Sequence, residues 1–231
     1  MRARPAWVAS ERDLSDSLLV LLAFGAGAVD AISFLGLGRV FTANMTGNLV
    51  LLGVDVGRGA SSEVIRSGVA FTTFVAGVLV ATLIAGRSAT RSPWPTGVKV
   101  ALAIEAVAQA AVLSGWLASA GRPGIALEAV LTGASALAMG LQSGAVMALG
   151  VAGISTTYVT GTLTGLLGQL ATGMGSRRDW ARRALVVAAI LVGAACSGLL
   201  VLHARRTAPA LPLAVTLLVL AAGLYVSRRR G

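Results

Sequence analysis

Charged side chains, cysteine and histidine are all scarce in this sequence. Only 12% of the 231 residues are Asp, Glu, Lys or Arg, whereas a soluble domain carries about 25%. A soluble globular fold is therefore not expected. The one cysteine, Cys196, and the one histidine, His203, are too few for a disulfide framework or a Cys/His metal site. We expect no bound metal.

Long apolar runs take the place of the missing charge. Hydrophobic residues make up 56% of the chain, and each of six windows contains at most one charged residue. The windows are 17–38, 67–86, 100–121, 129–176, 184–202 and 207–227. A membrane-spanning helix needs roughly 17–25 apolar residues, so window 129–176 is long enough for two helices and each of the others for one. The sequence predicts an all-α fold, a polytopic transmembrane helix bundle.

The basic residues lie at the ends of these windows. The net charge is +10, and clusters occur at Arg177, Arg178, Arg182, Arg183 and in the tail 228–230. Cytoplasmic loops of membrane proteins are rich in Arg and Lys, so we expect a multi-pass membrane protein with both termini in the cytoplasm. No basic face is interleaved with aromatic residues, so the expected partner is the lipid bilayer and not nucleic acid.

The chain matches itself when it is displaced by 114 residues, which places 40–49 on 154–163. The identical pairs are Thr42/Thr156, Thr46/Thr160, Gly47/Gly161 and Leu49/Leu163. Chance similarity between helices rich in Gly and Ala is the alternative. Because the apolar windows of both halves come into register at the same offset, we interpret the match as an internal repeat.

Each half then contains four segments. They are 17–38, 41–57, 64–86 and 98–120 in the first half, and 129–151, 154–172, 183–203 and 208–227 in the second. The predicted organisation is a cytoplasmic N-terminal tail, two transmembrane repeats and a basic cytoplasmic C-terminal tail. Their boundaries are 1–16, 17–120, 121–227 and 228–231.

The second segment of each half is short, interrupted by glycine and rich in hydroxyl and amide groups. Paired broken segments at matching places in two repeats are typical of the binding sites of secondary transporters. If both segments span, the protein has eight helices and parallel repeats; if both re-enter, it has six helices and inverted repeats. Either arrangement puts 13 basic residues on one side and 6 on the other. The lengths of 41–57 and 154–172 favour broken but spanning segments.

Polar groups inside the eight predicted segments define the candidate site. An ionised carboxylate at the depth of Asp30 costs about 2.5–3.5 kcal/mol, so Asp30 is expected to bind substrate or to couple a proton or ion, unless it caps a helix break at 25–27. Glu105 is the second candidate for coupling. The predicted substrate-binding residues are Asp30, Thr42, Asn44, Thr46, Gly47, Asn48, Gln142, Thr156, Tyr158, Thr160, Gly161 and Thr162. Helix packing is the alternative for the glycine-containing segments, because Gly161 and Gly165 have the spacing of a helix-contact motif.

Enzymatic chemistry is not expected. The sequence contains no metal-binding set, phosphate-binding loop or catalytic cysteine arrangement. Ser155 and His203 are the residue types of a serine–histidine dyad, but no glycine follows the serine and His203 lies beside Arg205 and Arg206. We therefore predict no catalytic residues and no cofactor.

Four motifs resemble those of the YoaK family of bacterial inner-membrane proteins. They are GAVDA at 27–31, VFTANMTGN at 40–48, GLQ at 140–142 and TTYVTGT at 156–162, and the resemblance extends over roughly 15–227. It implies a multi-pass membrane protein. The family has no assigned substrate and no catalytic residues to transfer.

Two functions fit these features. The first is a small-solute permease whose site lies near the membrane midplane between the two broken segments. The second is a membrane scaffold or regulatory protein that uses the same segments for helix packing. The two differ in whether the polar groups face a hydrated cavity or bond to neighbouring helices.

Overall fold

The computed structural model describes residues 6–86, 94–149 and 159–228, and every regular element in these ranges is helical. The elements are α1 (Ala6–Gly36), α2 (Met45–Gly57), α3 (Ser61–Gly86), α4 (Thr96–Ala118), α5 (Ile125–Ala148), α6 (Val159–Thr172), α7 (Arg177–His203), a 3₁₀ turn (Arg205–Thr207) and α8 (Ala210–Arg228). All of the α-helices except α2 and α6 are long and apolar enough to cross a membrane. The prediction of an all-α transmembrane bundle is confirmed.

Helix α1 begins earlier than the first apolar window. It is already helical at Ala6, and no Gly or Pro interrupts the chain from there to Phe24. The part of α1 that is apolar enough to span a membrane begins at Leu14. Much of the segment expected to form an N-terminal tail therefore continues the first helix.

One end of the bundle, the N-terminal end, is where α1 begins. Asp16 of α1 forms ion pairs with Arg178 (2.8 Å) and Arg182 (3.2 Å) in the first turns of α7. Trp94, just before α4, belongs to the same hydrophobic cluster as Leu18 of α1. Helices α1, α4 and α7 therefore all start at this end.

The other end, the distal end, is where α1 finishes. Gly36 contacts Trp116 near the end of α4. The side chain of Arg66, near the start of α3, lies against Gly38 and pairs with Glu128 of α5 at 3.2 Å. Helices α3 and α5 therefore start at the distal end and return to the N-terminal end, as does α8.

Helix α2 does not cross the bundle. Its 13 residues span about 20 Å, short of the ~30 Å hydrocarbon core. It begins beside Asp30, six residues before the last residue of α1. Arg58, directly after α2, lines one distal cavity with Gly38 and Arg66. The expectation that 41–57 spans is therefore wrong: the chain turns beside Asp30 and returns to the distal end. The sequence estimate counted the non-helical residues 41–44 towards a spanning length.

Helix α6 lies towards the N-terminal end of the bundle, as α2 lies towards the distal end. Its first described residue, Val159, lines a cavity together with Gly27 of α1 and Ile190 of α7, and Ile190 is at the middle of α7. Just beyond its last turn, the carbonyl oxygen of Met174 accepts a hydrogen bond from Trp180 Nε1 at 3.0 Å, in the first turn of α7. Helix α6 therefore runs from mid-depth to the N-terminal end of the bundle.

Glycine residues bring two pairs of helices into close contact. A methyl group at any of four glycines would overlap a backbone carbonyl oxygen of the facing helix. Because glycine lacks this methyl group, the helix axes can approach closely. The pairs are Gly27 with Ile190 and Gly193 with Phe24 between α1 and α7, and Gly77 with Leu137 and Gly140 with Phe74 between α3 and α5. These two pairings are the most extensive in the bundle.

Candidate functional site

A cavity of about 690 Å³ lies in the middle of the bundle, where α2 and α6 begin. Its polar lining consists of Asp30, Asn44, Thr46, Gly47 and Thr160. Its apolar lining consists of Ala26, Gly27, Phe41, Ala43, Met45, Val50, Leu51, Phe74, Val159 and Ile190. The cavity thus brings together five of the predicted site residues, from both halves of the chain.

Asp30 holds the turn of the re-entrant segment in place. The backbone N–H groups of Thr42 and Ala43 donate to its Oδ1 at 2.8 and 2.7 Å. These two groups precede α2 and belong to no helix, so they need an acceptor at this depth. A carboxylate is a stronger acceptor than a neutral group, which gives Asp30 a structural role at the wall of the cavity.

Asn48 holds the same segment from the other side. Its Oδ1 accepts from the backbone N–H of Phe41 at 2.9 Å, and its Nδ2 donates to the carbonyl oxygen of Phe41. The side chain is fully buried. An amide supplies the donor and the acceptor that this pair of backbone groups requires. Asn48 therefore fixes the entry of α2 and does not line the cavity.

Thr46 is the second residue of α2, and the sequence match at an offset of 114 residues pairs it with Thr160 of α6. Both side chains are exposed and line the cavity. The first N–H groups of a helix lack intrahelical acceptors and carry partial positive charge; in α2 the Asn44 side chain caps one of them, on Gly47, at 3.2 Å. The start of α2 thus offers backbone donors, and Thr46 and Thr160 offer hydroxyl groups, to a polar ligand.

The remaining predicted residues lie elsewhere. Thr42, Asn48, Gln142 and Thr162 are buried in the protein interior. Gln142 donates from Nε2 to the carbonyl oxygen of Leu22 at 3.2 Å, which joins α5 to α1. Gly161 follows Thr160 but does not line the cavity. Thr156 and Tyr158 lie outside the described residues.

The apolar cavity residues on α3 and α7 were missed by sequence reasoning. Phe74 and Ile190 each contribute to the lining. Membrane helices carry apolar residues whether a position faces lipid, protein or a cavity. The sequence pattern therefore does not distinguish Phe74 and Ile190 from their neighbours.

Glu105 lies apart from the cavity, between α4 and α8. Its Oε1 accepts from Gln109 Nε2 at 2.8 Å and from Thr216 Oγ1 at 2.9 Å. The residue is fully buried and its Oε2 has no hydrogen-bond partner. Across the described ranges, no ion pair includes Glu105. A buried carboxyl group without a cationic partner is a candidate for binding a proton or cation.

The fold and the central cavity define a multi-pass α-helical membrane protein in which two half-helices meet inside the bundle. The chain belongs to the family described as "Protein of unknown function (DUF1275)", which matches residues 18–224. It is similar to the UPF0700 transmembrane protein YoaK of Bacillus subtilis (strain 168), with 39% identity over 186 residues, 78% of this chain and 80% of the relative. The resemblance to the YoaK family is confirmed. No solved structure matches the chain.

Proposed function

We propose that this protein is a small-solute permease of the bacterial cytoplasmic membrane, with its binding site in the central cavity between α2 and α6. One observation carries the proposal: two half-helices reach a single cavity from opposite ends of the bundle and expose Thr46 and Thr160 there. Non-helical backbone at membrane depth is tolerated where protein or a water-filled cavity satisfies it. Discontinuous helices at the midplane are typical of secondary-transporter sites.

We infer that the two halves are inverted repeats. The sequence match at an offset of 114 residues places Met45, where α2 begins, on Val159 of α6. The glycine contacts support the same relationship, because Phe24 and Gly27 meet α7 as Leu137 and Gly140 meet α3. Helices α1 and α5 run in opposite directions, as inversion requires.

The orientation follows from the distribution of basic residues. With six spanning helices, 13 of the 19 basic residues belong to the N-terminal end and 6 to the distal end. The positive-inside rule then puts the N-terminal end, with both chain termini, in the cytoplasm.

Alternating access would move the α1–α7 pair against the α3–α5 pair. Each pair is closely packed through its glycines, so each is suited to move as a unit. Each is also tied by an ion pair at one end: Asp16 with Arg182 at the N-terminal end, and Glu128 with Arg66 at the distal end, both at 3.2 Å. A relative tilt of the two pairs would open the central cavity to one side of the membrane while closing it to the other.

Asp30 and Glu105 are the proposed coupling residues. Asp30 lines the cavity and holds the α2 turn, so binding of a cation or proton there would weaken its hydrogen bonds to the turn. Glu105 lies where α4 packs against α8, and its unpartnered Oε2 is available to a proton when this interface separates.

A thermal-stability screen of the detergent-purified protein against small metabolites and ions tests the proposal. A ligand at 100 times its Kd stabilises the folded state by about 2.7 kcal/mol. A true substrate should no longer stabilise the Thr46→Val and Thr160→Val variants. It should still stabilise Thr164→Val, because Thr164 is exposed on α6 away from the cavity. Uptake of the same compound into proteoliposomes must then be lost in the first two variants. A compound whose effect survives in both would locate binding elsewhere, and a bound compound that is never transported would favour the scaffold role.

A further inference from the structure

A second cavity, of about 560 Å³, lies at the distal end between the α4–α5 turn and the 3₁₀ turn before α8. Its charged or titratable lining consists of Arg122, His203, Arg205 and Arg206, and none of the described residues that line it is a carboxylate. None of the three arginines takes part in an ion pair within the described part of the chain. The cavity therefore has a positive charge without an internal counter-ion.

Arg205 is held rigidly at this cavity. Its Nε donates to the carbonyl oxygen of Gly121 at 2.7 Å, and its guanidinium carbon lies 5.6 Å from the centre of the Trp116 ring. Its own carbonyl oxygen accepts from Trp116 Nε1 at 2.7 Å. These contacts fix the guanidinium plane and leave its two terminal nitrogens for a ligand. A planar guanidinium binds the oxygens of phosphate through two parallel hydrogen bonds.

The neighbouring distal cavity provides an internal comparison. It also has a volume of about 560 Å³ and is also lined by three arginines, but three carboxylates line it as well. These residues are Arg39, Arg58 and Arg66 together with Asp55, Glu63 and Glu128. One cavity thus balances its charge within the protein, whereas the other requires an anion from outside.

We propose that the basic cavity, formed by Arg122, His203, Arg205 and Arg206, binds a phosphate group. The cavity lies where the spanning helices α4 and α7 end, which is the level of the lipid headgroups. Arg205 provides the fixed bidentate contact, and the exposed side chains of Arg122 and Arg206 close around the remaining phosphate oxygens. An anionic phospholipid headgroup and free inorganic phosphate offer the same chemistry.

Thermal unfolding of the full-length protein in a zwitterionic detergent tests this proposal and separates the two sources. Phosphatidylglycerol, phosphatidylcholine and inorganic phosphate are added separately, with sodium chloride as the ionic-strength control. We expect phosphatidylglycerol to raise the Tm by about 2–4 °C, the size of shift given by a modest stabilisation of a chain this long. A rise with inorganic phosphate alone would identify a free anion as the ligand of the same site.

Two double variants complete the test. Arg122→Gln/Arg206→Gln removes two exposed charges from the basic cavity and keeps Arg205, and Arg39→Gln/Arg58→Gln removes two exposed charges from the neighbouring cavity. The phosphate-dependent shift is expected to be lost in the first variant and retained in the second. A shift that persists in the first, or that falls equally in both, overturns the proposal. His203→Gln provides a second variant if the first is unstable without ligand, and it must reduce the shift.

Discussion

The Oδ1 atom of Asp30 accepts hydrogen bonds from the backbone N–H groups of Thr42 and Ala43, at 2.8 and 2.7 Å. A carboxylate in the middle of a spanning helix thereby replaces the helical hydrogen bonds that the re-entrant segment lacks. The same contact sets the depth at which α2 begins, and so the position of the central cavity. The stability of the turn and the shape of the cavity therefore both depend on this side chain.

Replacing Asp30 distinguishes the contribution of its negative charge from that of its hydrogen-bond acceptor geometry. Asp30→Ala leaves two backbone N–H groups without their acceptor, at a cost of about 1–3 kcal/mol for each group, whereas Asp30→Asn keeps an oxygen at the same place. We expect a clear fall in Tm for Asp30→Ala and a much smaller one for Asp30→Asn. An equal fall in both variants would mean that the negative charge, and not the acceptor geometry, stabilises the turn.

Asn48 and Asn44 form a matched pair in the same segment. Asn48→Ala removes both side-chain hydrogen bonds to Phe41 in a fully buried place, whereas Asn44→Ala removes one exposed helix cap, worth about 1 kcal/mol. We therefore expect thermal unfolding to show the larger loss for Asn48→Ala. The reverse order would contradict the anchoring role of Asn48.

Two glycines of α7 test the close helix crossings. An alanine at Gly193 would overlap the Phe24 carbonyl group, whereas Gly198 has no atom within 4 Å of an added methyl. Gly193→Ala is expected to destabilise by about 1–3 kcal/mol through overpacking. Gly198→Ala should be neutral or slightly stabilising, because alanine is the better helix former. Equal Tm values for the two variants would argue against a close α1–α7 contact.

Cysteine labelling in intact cells tests whether 41–57 re-enters. Cys196 is the one native cysteine, so Cys196→Ala gives a background without thiols. In it, Ser62→Cys and Thr207→Cys at the distal end should react with a membrane-impermeant maleimide, and Met174→Cys at the N-terminal end only after permeabilisation. All three residues are exposed. Labelling of Ser62→Cys only after permeabilisation would mean that α2 spans the membrane.

Sequence reasoning predicted the helical class of the bundle, because hydropathy over 20 residues is a strong signal. It also selected Thr46 and Thr160, which line one cavity in the structure. It did not separate re-entry from spanning, since both topologies give the same distribution of basic residues. The decisive fact is the contact of Asp30 with residues 42 and 43, a tertiary relationship without a local signature.

The division of labour among the polar residues was also beyond the sequence. Asn44 and Asn48 are one helical turn apart, yet one faces the cavity and the other is buried against Phe41. Similarly, Glu105 and Gln109 are one helical turn apart on α4, but the third member of their hydrogen-bonded group, Thr216, comes from α8. Only the packing of distant helices determines such groupings.

The permease proposal requires a hydrated cavity between α2 and α6. Thiol accessibility measures most directly whether water reaches this cavity. In the Cys196→Ala background, Thr46→Cys and Thr160→Cys should react with a small water-soluble thiol reagent in purified protein. Thr162→Cys should not, because that residue of α6 is buried. If the first two thiols are as unreactive as the third while Ser62→Cys reacts fully, the cavity is closed to water and the permease account is contradicted.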